Sequence, residues 1–140
     1  MRSLDSRRTP QAVVIAGPNG AGKTSARSIE RRLRGLQALG YEVHVFYLWL
    51  PTPELAVARV RIRVQAGGHD VPEHVIRRRF RRSLLNFDRI YRPLSSTWRL
   101  YDGSATEGRL LIAHGRGEGM TVVDKGRWSS VRVQIEEMRE

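Results

Sequence analysis

The apolar positions of this chain change period along its length. Ala12-Val-Val-Ile-Ala16 is a short unbroken apolar run closed by Gly17, the pattern of a strand buried on both faces. Ile29, Leu33, Leu36 and Leu39 recur at three- and four-residue spacing and predict a helix running from Thr24. Gly40 follows where a C-terminal glycine cap belongs. Val43 to Leu50 reads as a second buried strand. The next stretch, VARVRIRVQA, alternates apolar residues with arginine, and by period alone it is a strand. Its entry contradicts that: Thr52-Pro53-Glu54 supplies an N-cap, a first-turn proline and an acid facing the helix dipole. The cap decides for a helix over Thr52 to Ala66.

Pro72 opens a longer helix with the stripe Ile76, Phe80, Leu84, Phe87 and Tyr91, ended by Pro93. Trp98 to Tyr101 predicts a third strand. Leu110 to Ala113 and Met120 to Val123 flank HGRGEG as a hairpin, and Trp128, Val131, Ile135 and Met138 form an amphipathic last helix. Residues 1–10 read as a flexible basic tail and 11–140 as one domain. Strands alternating with helices predict an α/β layered fold with a small parallel sheet, closed by the C-terminal hairpin and helix.

Composition narrows the chemistry. The 140 residues carry 25 Lys and Arg against 14 Asp and Glu, a net charge of +11, so polyanions are the expected ligands. Cysteine is absent, which excludes disulfides, thiolate zinc sites and cysteine nucleophiles. MRSLDSRRTPQ has no apolar core and is not a secretory signal. The longest apolar run, Val43 to Leu50, is far short of the ~18 residues of a membrane span. A cytoplasmic protein is expected.

One motif carries the functional reading. Gly17-Pro18-Asn19-Gly20-Ala21-Gly22-Lys23-Thr24 fills every fixed position of a phosphate-binding loop, between a strand and a helix. Its glycines let backbone N–H groups wrap a phosphate. Lys23 reaches the outer phosphates, Thr24 offers a hydroxyl to Mg2+, and the helix N-terminus adds positive potential. ATP or another nucleoside triphosphate is the expected ligand.

The remaining candidates are weaker. His69 and His74 flank Asp70 without metal-ligand spacing, and His69 reads as a hydrogen-bonding residue of a Gly-Gly-His-Asp turn. Asp102, in LYDGS, follows a strand and could face magnesium, but capping an Asp-Gly turn is the favoured role. Arginines 77, 78, 79, 81 and 82 crowd one helix, where most should be solvated. Nucleic acid would satisfy the charge as well. Against it, the chain shows no aromatic platform motif, recognition-helix signature or zinc spacing.

GPNGAGKT, YEVHVFYLWLPTPELAVARV, GGHDVPEHVIRRRF, RSLLNFDRIYRPLSSTWRLYDGS and LLIAHGRG together resemble the zeta-toxin-like P-loop kinases, over nearly the whole chain. The resemblance implies an ATP- and Mg2+-dependent kinase acting on a sugar nucleotide such as UDP-N-acetylglucosamine. It also implies Arg63 and Arg77, or a neighbour up to Arg79, on the γ-phosphate beside Lys23, and an antitoxin protein as partner. One departure matters. The family follows its loop helix with a strand bearing a base aspartate and then an acceptor-binding segment. Here the loop helix leads directly into ERRLRGLQALGYEVHVF, so both elements are missing, as after an internal deletion. The resemblance therefore implies a kinase with its donor site kept and its transfer impaired.

Overall fold

The computed structural model describes residues 8–18, 25–104 and 108–139. Five strands form one sheet in the order β1-β2-β3-β4-β5. They are β1 (Gln11–Ala16), β2 (Glu42–Trp49), β3 (Thr97–Asp102), β4 (Leu110–Arg116) and β5 (Gly119–Val122). The first three are parallel, while β4 and β5 add antiparallel as the expected hairpin. The fold is α/β with a mixed sheet.

Helix α1 (Ala26–Ala38) links β1 to β2. Ser25 caps it by accepting a hydrogen bond from the Ser28 N–H at 3.2 Å. It ends at Gly40, whose φ of 86° only glycine adopts cheaply and whose N–H donates back to Gln37. The arginine-alternating segment is helical, as its cap demands. In α2 (Pro53–Gln65) the Thr52 hydroxyl accepts from the Leu55 N–H, and only Ala56 and Val57 are buried. The period-two signal is lost because so little of this helix meets a core.

Helix α3 (Glu73–Asn86) continues through a π-helical stretch, Phe87–Tyr91, into the short α4 (Arg92–Leu94). The predicted stripe is its buried side, with Ile76, Phe80, Leu84 and Phe87 in the core. Helix α5 (Lys125–Arg139) closes the chain and buries Val131 and Ile135.

The sheet corrects one expectation. The first two strands are not buried on both faces. In β2, Val43, Val45, Tyr47 and Trp49 are buried while the residues between them are half exposed. On β1, Val13 and Ile15 are 62% and 72% exposed. The reason is topological. Strands that advance one place at a time through right-handed crossovers send both helical connections to the same side. The main core accordingly joins Ala12, Val14, β2, Trp98, Leu100 and Ile112 to Ile29, Leu33, Leu84, Phe87, Val131 and Ile135. The buried side chains of the sheet lie on that side, and among the described residues those on the other face are half-buried or exposed.

Candidate functional site

All three parallel strands deliver their C-terminal ends to one edge of the sheet, where ligands bind in open α/β folds. At this edge β1 passes into Gly17 and Pro18. A Cβ on Gly17 would lie 3.2 Å from the Leu48 carbonyl, so the loop begins in a close approach that favours glycine. Asn19, Gly20, Ala21, Gly22, Lys23 and Thr24 lie outside the described residues, and the chain is described again from Ser25, the α1 cap.

Both ends of that loop open onto α3. Pro18 lines a cleft of about 270 Å³ whose walls are Val60 and Arg63 of α2, the Gly68–His69 turn, Val71, and Ile76 and Arg79 of α3. Ala26, just past the loop, lines a second groove with Arg78, Arg81, Arg82 and Arg89. Helix α3 therefore carries arginines to both flanks of the loop. Tyr47 helps hold it there: its hydroxyl and that of Ser83 are 3.0 Å apart. Burial pushes the Tyr47 phenol far above its ordinary range, so it stays a neutral hydrogen-bonding partner.

Which arginine lines the Pro18 cleft is a matter of helical phase. Arg77 projects toward Glu73 one turn earlier and bonds it at 2.9 and 3.1 Å, while a third bond of 3.1 Å reaches Glu54 on α2. Its role is to clamp the starts of α2 and α3 together, and it does not line the Pro18 cleft. Arg79, three residues beyond the buried Ile76, does. Its Nε is buried and has no hydrogen-bond partner among the described residues. An unmet buried donor costs free energy. Arg63 lines the same cleft.

His69, read from sequence as a turn residue, also forms part of the cleft wall. That Arg79, within the range read from the sequence, and His69 line this cleft could not be told from sequence, for different reasons. Five near-adjacent arginines look alike until a helix fixes their direction, and nothing in the sequence around His69 shows which element it faces.

Asp102 has no free role. The Ser104 N–H and hydroxyl donate to Oδ1 at 2.8 and 2.6 Å, and Arg127 Nε donates to Oδ2 at 2.7 Å. Desolvation raises its pKa, but the bonds from Ser104 and Arg127 outweigh it and hold the carboxyl below the ordinary value. Asp102 is an ionised turn residue, which is the favoured sequence reading. Among the described residues, none that lines the Pro18 cleft is a carboxylate. Among the described residues no group of three or more His, Asp and Glu could hold a metal ion. Among the described residues no helix is long and apolar enough to cross a membrane.

Comparison with known proteins adds one relative. An uncharacterized protein of Haemophilus influenzae is 32% identical over 56 residues, a match spanning 40% of this chain and 40% of that protein. No protein-family model matches the chain. No solved structure matches it either.

Proposed function

We propose that the chain is an ATP-binding P-loop domain of the zeta-toxin kinase type, which holds a nucleoside triphosphate but transfers its phosphate poorly. One observation carries the reading. The described flank of the loop, Pro18, shares a cleft with Arg63 and Arg79, and the buried Arg79 Nε lacks a partner among the described residues. That donor set suits a phosphate: arginine offers planar, always-charged N–H groups to its oxygens. The cleft is below the roughly 300–1,000 Å³ of pockets that enclose a whole small-molecule ligand, so it suits the phosphate tail alone.

In this reading Gly17 to Thr24 wrap the β- and γ-phosphates, Lys23 neutralises them, and Arg63 and Arg79 close over the γ-oxygens from α2 and α3. Bound Mg2+ would supply charge neutralisation between the phosphates, with the Thr24 hydroxyl as its protein ligand. The acceptor side is poorly provided. With Asp102 bonded to Ser104 and Arg127 and no carboxylate among the described residues of the cleft, His69 is the described group there that could take an acceptor proton. Without a positioned base and acceptor site, the donor phosphate is held but no hydroxyl is brought in line with it. Titration calorimetry with ATP and Mg2+ tests the reading. Binding to the folded protein that is lost in Lys23→Ala supports it, and no binding sinks it.

A further inference from the structure

The open face of the sheet carries a surface the nucleotide site does not use. Strand alternation and register place its side chains in rows. One row runs Ile15, Phe46, Arg99 and His114 across four strands, and the next holds Leu48, Tyr101 and Leu111. The Phe46 and Tyr101 rings are 6.4 Å apart and nearly parallel, at 12°. The Arg99 guanidinium lies 5.9 Å from the Phe46 ring centre. Arg99 and Arg116 are exposed. Of the strand residues on this face, Glu42 is the single acid, and it sits at the far end beside His44.

We propose that this face binds single-stranded polynucleotide. Parallel aromatic rings on neighbouring strands of an open sheet offer successive bases a stacking platform. Arg99, whose guanidinium lies over the Phe46 ring, swings off it to meet a phosphate as a base stacks, Arg116 meets another, and the net charge of +11 adds long-range attraction. The exposed Val13 and Ile15 extend the apolar floor to the sheet edge. A second copy of the chain fits this face less well, because two such faces meeting squarely would oppose Arg99 and Arg116 to one another. Neither stacking nor phosphate contact needs a 2′-hydroxyl, so RNA and DNA should both bind. A duplex, whose bases are already stacked, should bind weakly.

The test is fluorescence anisotropy with labelled oligouridine and oligothymidine of about 12 nucleotides, within the span such platforms cover. It needs no nucleoside triphosphate, so its outcome is separate from that of the phosphate site. Binding should weaken steeply between about 50 and 200 mM salt. Phe46→Leu and Tyr101→Leu keep the apolar cover but remove the ring, and each should weaken binding by about 5- to 100-fold. Arg99→Gln and Arg116→Gln, changes to exposed side chains, should also weaken it and carry the test if a ring variant fails to fold. Arg132→Gln on α5 controls for charge alone and should change affinity by less than about twofold. Three results would overturn the proposal: no binding, equal loss in Arg132→Gln and Arg99→Gln, or a dimer in ultracentrifugation that Ile15→Glu dissociates.

Discussion

Arg127, in the first turn of α5, donates to Asp102 at the end of β3 through Nε and to Asp124 through Nη1, each at 2.7 Å. One guanidinium thus fastens the last helix to the edge of the sheet where the parallel strands end. The Asp102 carboxylate is buried, so its bonds are poorly replaced by water.

Asp102→Asn should therefore destabilise the protein by about 1–3 kcal/mol at neutral pH. The pH dependence follows from the sign of the shift. The folded carboxyl lies below its unfolded value, so its contribution is fully present above about pH 4 and is lost as pH falls through the folded pKa. The stability gap between the parent and Asp102→Asn should be wide at pH 7 and narrow in strong acid. Urea denaturation at several pH values measures it; a gap that widens on acidification contradicts the assignment.

Gly115 faces the buried Trp98 across β3 and β4. A Cβ there would collide with the Trp98 indole and lie 2.8 Å from the Gly119 carbonyl. Trp98 cannot yield easily, held edge-on to Phe87 and stacked on Trp128. Gly115→Ala should cost about 1–3 kcal/mol through overpacking. A lowered denaturation midpoint with shifted tryptophan fluorescence is the expected result, and an unchanged midpoint would show that the hairpin gives way freely.

Two of the arginines of α3, Arg77 and Arg79, should separate binding from stability. Arg79→Gln should weaken ATP binding by roughly 10- to 100-fold, the scale of one charged hydrogen bond. Arg77→Gln should leave affinity near the parent value and lower thermal stability instead, since it releases Glu54 and Glu73. Calorimetry and a thermal melt on both variants decide it. The reverse pattern would return the phosphate role to Arg77.

Phosphoryl transfer should be very weak. A general base is typically worth 10²- to 10⁴-fold, and acceptor positioning contributes further. Radiolabelled ATP with UDP-N-acetylglucosamine should give little or no Lys23-dependent product. Turnover near one per second, within the ordinary kinase range, and abolished by Lys23→Ala would mean that an acceptor site exists after all.

Local chemistry settled the elements. Thr52 and Pro53 specify α2 against a misleading alternation, Gly40 specifies the end of α1, and the stripe from Ile76 to Phe87 specifies the buried side of α3, because each acts through neighbours a few residues away. The phosphate-loop pattern was legible for the same reason, being eight consecutive residues. What tertiary structure decided involves residues far apart in the chain. An apolar run such as Val13 to Ile15 fits a strand covered on both faces or on one, and only the order of crossovers leaves this one open. Arg77 and Arg79 differ only in helical phase relative to α2 and Pro18. No linear motif joins Phe46 to Tyr101, 55 positions away; the parallel register of β2 and β3 brings their rings together.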